Sequence, residues 1–599
     1  MSKRSTLFWS LILALACTGL MFVRLSHIRH AIVLATDCRH CGWSWEAPAY
    51  DAGVFGLLVL LLGFAGVLPR WARPLKAAVG GVILLLYSTD VFVADLLNIR
   101  LDITDIIKYA DDVELNKTVA LPHFASPSGA ALFTLTLAGC LAFWVLALRM
   151  RHGAKHLGVF TVAALGLLAA RTLPATTPYA AGQVYTDYIT NNLPSGIDTP
   201  YTPQKRAELE RQAPPAQTCA KPRHAPRPVI LLVVESLSLY HSKKFSGIED
   251  YTPELDTIAS KYGHLESFYA NGFSTDGGLI ALLTGYAPIP NINRYHSIDI
   301  YQGYDSPKQD MLGPLQAAGI PTSYFSTSDL GFIGMGDWLK KLQFSYIEGP
   351  EHPFYNSMPR GSFNDPGDEA LYQRYLQWFD HERAPGPFFS VIQTITTHPP
   401  FVIPGSSQHG EEAAVRYADR ALGHFVRQLE KRGFLDQGIL IIMGDHRSMT
   451  IQRPGEARTI GPAAHARVPA VIAGVGYRGI GSIAGQWQQA DLVPSVLSTL
   501  GMRSCTSDFQ GRFVEPRQQP RYIFHAQGME RDRVLIKVKD EPDLLFVQLD
   551  GDRTHWVRPP DPPTAHHGVI AEINRQRARV PPAEANLAAG FLRWKGLMP

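Results

Sequence analysis

Apolar positions along this chain fall into two textures. Before residue 175 they form long, nearly unbroken blocks: "LFWSLILALACTGLMFV" (7–23), "GVFGLLVLLLGFAGVL" (53–68), "AAVGGVILLLYSTDVFVADLL" (77–97), "AALFTLTLAGCLAFWVLAL" (130–148) and "LGVFTVAALGLLAA" (157–170). Each approaches the roughly 17–25 apolar residues that a helix needs to cross a hydrocarbon core, the second and fifth being the shortest fits. The pattern predicts a transmembrane domain of five helices over residues 1–175. The first block is not read as a cleaved signal peptide, because four more spans follow it.

After residue 175 the texture changes. Residues 176–226 are rich in Pro, Thr and charge and read as a linker lying over the membrane surface, with one short helix near 203–212. Then come short β-branched runs without polar alternation: "PVILLVVES" (228–236), "FFSVIQTI" (388–395), "GILIIMGDH" (438–446) and "VPAVIAG" (468–474). Such runs suit strands buried on both faces. Between them lie helical patterns, "DEALYQRYLQWFDHE" (368–382) and "EEAAVRYADRALGHFVRQLEKRG" (411–433). Strands alternating with helices predict an α/β domain with a mostly parallel sheet, here assigned to 227–515. Residues 516–599 read as a small C-terminal subdomain containing a hairpin over 533–557, and "DLVPSVLSTLG" (491–501) as a packed helix.

Charge adds an orientation. Lys3 and Arg4, then Arg70, Arg73 and Lys76, then Arg149, Arg151 and Lys155 all fall on one side of the five spans, whereas Asp102, Asp105, Asp111, Asp112 and Glu114 lie in the loop opposite. By the positive-inside rule the N-terminus is cytoplasmic, and everything after residue 175 is periplasmic or extracellular, on a multi-pass protein of the inner or plasma membrane. A net charge of +3 gives no electrostatic case for nucleic acid. Of six cysteines, Cys17 and Cys140 lie in predicted spans, and Cys38, Cys41, Cys219 and Cys505 lie on the outer side, where disulfides persist. Both 38 with 41 and 219 with 505 remain open as pairings.

The chemistry sits where the strands stop. The first run ends in Glu235-Ser236, the second in Thr396-Thr397-His398 and the third in Gly444-Asp445-His446. In parallel sheets, ligand sites lie beyond the carboxyl ends of the strands. A fourth element is "NGFSTDGGLIALLTG" (271–285), in which a Thr-Asp pair and two glycines open a short apolar helix. Two readings apply to Thr275: an N-cap with Asp276 favourable to the helix dipole, or a hydroxyl held where an anion is welcome, with Gly277 and Gly278 letting backbone approach a ligand. Glu235, Thr275, Asp445 and His446 form a set of carboxylates, imidazole and hydroxyl suited to one hard or borderline divalent cation, Mn²⁺ first, with Mg²⁺ or Zn²⁺ as alternatives.

Together these segments resemble the alkaline phosphatase and sulfatase superfamily, and within it the phosphoglycerol transferases of the lipoteichoic acid synthase type. "VVESLSLYH" resembles that family's first metal-ligand strand, "YTPELDTIAS" its following helix, "GFSTDGGLIALLTG" its nucleophile segment, "TTHPPF" its substrate histidine and "MGDHRSM" its second ligand pair. The resemblance implies a metal held by Glu235, Thr275, Asp445 and His446, with Thr275 as nucleophile and His398 assisting the phosphate chemistry. It implies a phosphatidylglycerol-like donor lipid in the bilayer and a glycan or polyglycerol phosphate acceptor. The alternatives are a phosphoethanolamine transferase or a sulfatase-like hydrolase. The sulfatase context of Cys or Ser, then Pro or Ala, then Arg is missing from "STDGGLI". The family's Phe-Trp-x-Arg stretch also has no counterpart: "DLGFIGMGDWLKKLQF" places Trp338 out of step and carries no Arg. His465, just before "RVPAVIAG", reads as an orienting group rather than a ligand.

Overall fold

The computed structural model describes residues 3–36, 46–64, 69–97, 101, 126–150, 154–169, 188–192, 217–221, 224–288 and 300–556, the last stretch with short interruptions. The chain divides into two compact units, one built on Met1–Ser195 and the other on Gly196–Met449 and Gly455–Pro560. Cys38, Cys41, the helix expected near 203–212 and residues 557–599 lie outside the described residues.

The first unit holds the apolar helices α1 (Lys3–Thr36), α2 (Glu46–Gly63), α3 (Arg73–Leu97), α4 (Pro127–Arg149) and α5 (Ala154–Ala169). Three stretches, Lys3–Ile28, Arg73–Asp95 and Pro127–Arg149, are long and apolar enough to cross a membrane. Pro48–Gly63 and Leu157–Ala169 are shorter, so the expectation of five spans meets three of full length and two marginal helices. The surface of the unit is apolar: Leu7, Phe8 and Leu11 of α1, Phe133 and Trp144 of α4 and Val159 of α5 all face outward. Water does not support so large an exposed apolar area; hydrocarbon does. Inside, Ser88 and Thr136 hydroxyls meet at 2.6 Å and the buried Arg24 pairs with Asp51, as polar groups away from water require. A Cβ on Gly80 would overlap the Phe143 ring, so glycine is what lets α3 and α4 approach.

The second unit is built on an eight-stranded sheet. Its strands are β1 (Val229–Val234), β2 (Gly263–Tyr269), β3 (Thr322–Ser326), β4 (Tyr346–Glu348), β5 (Phe389–Gln393), β6 (Ile439–Gly444), β7 (Ala470–Gly474) and β8 (Gly481–Gln488), in the order β4-β3-β5-β1-β6-β7-β2-β8. β1 pairs in parallel with β5 and β6, which puts the ends of these three strands side by side. β7 runs antiparallel to both β6 and β2, so "VPAVIAG" is the exception in a mostly parallel sheet.

Burial explains the central strands. Val229, Leu231 and Val233 enter one core cluster and Ile230, Leu232 and Val234 the other; Ile439, Ile441 and Met443 of β6 divide from Leu440 and Ile442 in the same way. Both faces are covered, so the polar alternation of a half-exposed strand is missing. Helix α6 (Pro253–Lys261), the short α7 (Thr275–Thr284), α8 (Gly367–His381), α9 (Glu411–Lys431) and α10 (Leu492–Thr499) supply the cover. α9 turns Val415, Leu422, Phe425, Val426 and Leu429 inward at helical spacing. Its Asp419 accepts the Glu254 and Leu255 amides at 2.8 and 2.9 Å, capping α6 in place of Thr252, whose side chain makes no cap bond.

The expected C-terminal hairpin is part of a four-stranded antiparallel sheet, β9 (Tyr522–Gln527), β10 (Arg533–Val538), β11 (Leu544–Asp550) and β12 (Arg553–Trp556). Cys219 and Cys505 form a disulfide between two short paired strands, Thr218–Ala220 and Ser504–Thr506, which settles one of the two pairings left open.

Candidate active site

Glu235 leaves the end of β1 fully buried, and the next residue, Ser236, has a φ of +53°. A non-glycine residue in this region is strained, and the turn is held by hydrogen bonds at every point. Glu235 N–H donates to Thr394 Oγ1 at 3.0 Å, Ser236 N–H to Asp445 Oδ1 at 2.8 Å and Ser236 Oγ to Glu235 Oε1 at 2.8 Å, while the Thr397 hydroxyl donates to the Glu235 carbonyl. The loop that follows β5 thus contributes supports for the carboxylate as well as His398.

At the end of β6, Asp445 Oδ1 accepts the His446 amide at 2.7 Å, whereas the buried Oδ2 has no hydrogen-bond partner. His446 Nδ1 lies 2.8 Å from the Arg447 carbonyl; a carbonyl only accepts, so Nδ1 carries a proton and Nε2 is turned to the site. Arg447 itself is locked by a buried pair with Glu456 at 2.7 Å.

Thr275 is the first residue of α7. The N-cap position belongs to Ser274, whose side chain makes no cap bond, so the capping reading of Thr275 does not describe this helix. Its hydroxyl donates to Glu235 Oε2 at 3.0 Å and stands 3.2 Å from His446 Nε2. The two glycines meet backbone. A Cβ on Gly278 would lie 2.4 Å from the Asp445 carbonyl oxygen, and one on Gly277 would touch Gly272 at 3.0 Å. Their role is to let the start of α7 close onto the turn carrying Asp445 and His446.

One ligand atom each from Glu235, Asp445 and His446 lies within 4.8 Å of the others, all three residues being buried. Burial pushes the Asp445 carboxyl well up, with the Glu235 charge adding to the effect. Burial acts on Glu235 too, but the hydrogen bond and charge of His446 outweigh it and hold that carboxyl at about 2. His446 is raised to about 10 against its burial, by Asp445 and Glu235. Two carboxylates forced together out of water, one with an orphaned oxygen, suit a cation, and the residues present fit one divalent ion.

The other expected residues are placed around this group. His398 is half-buried beside the group, its Nδ1 on the Pro399 carbonyl and its ring edge-on to Phe363. Asp276 points away from the three ligands and is ion-paired with the buried Arg531. His465 ends a 3₁₀ turn outside the group; burial, helped by the Arg447 and His525 charges, lowers its pKa to about 3, so its ring is neutral. Trp338 is core: it stacks on Tyr301 at 4.2 Å and donates to the Tyr304 carbonyl at 2.9 Å.

Several supports had no signal in the sequence. Arg531 lies 255 residues from Asp276. β9 of the small sheet also reaches the segment that leads into α7: Ala526 N–H donates to Asn271 O at 2.8 Å, Asn271 Nδ2 to Phe524 O at 2.6 Å, and His525 Nδ1 to Ala270 O at 2.8 Å.

Comparison with known proteins places this geometry in a family. Residues 227–502 match the family model described as Sulfatase, and this segment is a domain of the sulfatase and alkaline phosphatase superfamily. Among curated relatives, a lipoteichoic acid synthase of Staphylococcus saprophyticus is 24% identical over 277 residues, 41% of this chain and 38% of that protein. Phosphoglycerol transferase I of Xanthomonas euvesicatoria is 23% identical over 321 residues, 49% of this chain and 45% of that protein. The chain thus spans less than half the length of either. Among solved structures, the lipooligosaccharide phosphoethanolamine transferase A of Neisseria meningitidis aligns with a TM-score of 0.47 at 15% identity, over 82% of this chain and 95% of that one.

Proposed function

We propose that this protein is a membrane-bound, metal-dependent phosphoglycerol transferase that moves the head group of phosphatidylglycerol, through Thr275, to an acceptor outside the cytoplasm. The observation that carries the reading is the Thr275 hydroxyl at 3.0 Å from Glu235 and 3.2 Å from His446, at the start of a helix and at the mouth of a buried anionic cluster.

Glu235, Asp445 and His446, with Thr275 Oγ, would hold the ion, with Mn²⁺ as the preferred metal. When bound, it supplies Lewis acidity that lowers the Thr275 pKa and draws charge from the phosphoryl oxygens. The rest falls to the chain. The Arg447 carbonyl fixes the His446 tautomer, Ser236 and the His446 amide fix Asp445, and burial of all three ligands excludes water. Thr275 Oγ, its proton lost to solvent as its pKa falls, forms a bond to phosphorus as the bond to the diacylglycerol oxygen breaks, and His398 would hand that oxygen a proton. In the second displacement an acceptor hydroxyl passes its proton to His398 as its oxygen bonds to phosphorus, and the Thr275 ester breaks to return the threonine oxygen and a protonated His398 for the next cycle.

The lipid substrate accounts for the apolar first unit, since donor and diacylglycerol both stay in the bilayer. The arrangement of Lys and Arg around the spans supports a cytoplasmic N-terminus with the second unit outside. A reporter active only in the cytoplasm, fused after Pro599, should then be silent. The function is tested by incubating the full chain in detergent with head-group-labelled phosphatidylglycerol and Mn²⁺. Diacylglycerol should appear, and a phosphoglycerol adduct should be found on the 271–285 peptide by mass spectrometry. Release of diacylglycerol from phosphatidylethanolamine alone would assign a different head group.

A further inference from the structure

Gln489 is fully buried in the 3₁₀ turn after β8 and touches neither Thr275 nor the three candidate ligands through their side chains. Its amide joins the two segments that carry them. Nε2 donates to the carbonyls of Gly444 and Asp445 at 3.0 and 2.6 Å, and Oε1 accepts the Asn271 amide at 2.8 Å. Asn271 returns the contact, accepting the Ala490 amide on Oδ1 at 2.9 Å and donating from Nδ2 to Gln488 Oε1 at 2.8 Å. The Asp445 carbonyl that Gln489 holds is the atom over which Gly278 closes.

We infer that Gln489 is a positioning residue, setting the distance between the metal-ligand turn 444–446 and the nucleophile segment 271–275. All its polar atoms are used in this one bridge, and both tethered segments are main chain, which cannot adapt by changing rotamer. Removing the amide leaves two carbonyls and one N–H without a partner in a dry interior, and they recover hydrogen bonds only if the segments move apart. Thr275 and Asp445 lie on opposite sides of that joint, so the movement spreads the four oxygen and nitrogen atoms that would face one ion. The inference deepens the transferase reading and rests on it for the role of the site, but the joint can be measured without any lipid.

The test compares Gln489→Met, which keeps length and volume but neither donates nor accepts as an amide does, with Leu429→Ala, a core truncation on α9 that lowers stability away from the site. Mn²⁺ is titrated into each full-length protein, and diacylglycerol release is followed in parallel. The Mn²⁺ Kd of Gln489→Met should rise by about tenfold or more, with kcat falling at least as far and KM for the lipid changed less than about twofold, while Leu429→Ala keeps the wild-type Kd. Should Gln489→Met not fold, Gln489→Glu carries the same comparison, since its carboxylate keeps the acceptor but loses the donor pair. A folded Gln489 variant whose Mn²⁺ Kd stays within about twofold of wild type overturns the inference, as does an equal loss in Leu429→Ala. Wild-type protein that binds Mn²⁺ but releases no diacylglycerol sinks the lipid reading instead, and the Mn²⁺ titration still decides this one. Wild-type protein that binds no Mn²⁺ overturns both.

Discussion

Replacing Gly278 by alanine sets two local effects against each other. Helix propensity favours the change by about 1 kcal/mol, because glycine in a helix interior gives up more backbone freedom than alanine. Packing opposes it. The new Cβ would stand 2.4 Å from the Asp445 carbonyl oxygen, 3.0 Å from its carbonyl carbon and 3.2 Å from its Cα. Carbon contacts settle near ~3.5 Å, so one backbone must retreat by about 1 Å. Neither can do so freely, since the Asp445 peptide is held by Gln489 and the Gly278 amide by the Ser274 carbonyl. Forced overpacking of this kind costs about 1–3 kcal/mol, which cancels or exceeds the propensity gain. On the proposed transferase reading the larger consequence is catalytic: Thr275 is one turn away on the same helix, and a displacement of about 1 Å in a reacting group costs on the order of 100-fold in rate. Gly278→Ala should therefore unfold within a few degrees of wild type yet lose most diacylglycerol release. The assays are thermal unfolding and turnover of labelled phosphatidylglycerol on the same preparation. A Gly278→Ala protein with wild-type kcat would refute the close approach of α7 to the Asp445 turn.

Three further outcomes are expected. Thr275→Ala should retain the fold and release no diacylglycerol, whereas Thr275→Ser, keeping the hydroxyl but losing the methyl that fixes its rotamer, should retain part of the activity; turnover in the alanine variant would remove Thr275 as nucleophile. Burial, despite two backbone donors, raises the Asp419 carboxyl to about 7. An unfolded-chain Asp titrates near ~3.9, so between there and 7 the folded state holds the extra proton; the contribution is fully present below that window and lost as pH rises through 7. Asp419→Asn should flatten this part of the urea-stability profile, and an unchanged slope would count against the assignment. Cys219→Ser opens a cross-link spanning 286 residues, which by chain entropy contributes up to about 5 kcal/mol, so its thermal midpoint without reductant should fall clearly below wild type.

What could be read in the sequence follows from what each position does. β1 and β6 were legible because both of their faces are buried, leaving an unbroken apolar run in each. β2, "GHLESFY", was not: it pairs with β7 and β8 near one side of the sheet and exposes Glu266 in mid-strand. The acids and imidazole at strand ends were legible because a buried parallel strand has no structural need of them there. The amides beneath them were not, since Asn271 and Gln489 meet across 218 residues and no periodicity connects them. The glycines of the 271–285 segment were visible, but their neighbours were not: the Asp445 backbone for Gly278 and Gly272 for Gly277.

The contacts of β9 bear on how the enzyme is made. Asn271 binds Phe524, a residue synthesised 253 positions later. At ~5–20 residues per second, ribosomes take on the order of 10–50 s to cover that interval. Throughout it the nascent chain carries Glu235 and Thr275, and later Asp445 and His446, but the Asn271 carbonyl awaits the Ala526 amide and the Ala270 carbonyl awaits His525. Assembly of the 270–275 loop therefore depends on β9. A chain stalled or clipped before residue 522 would display every candidate site side chain and still lack the brace beneath the Thr275 segment, so on the proposed transferase reading an unfinished copy would not act on the membrane in which it is being built.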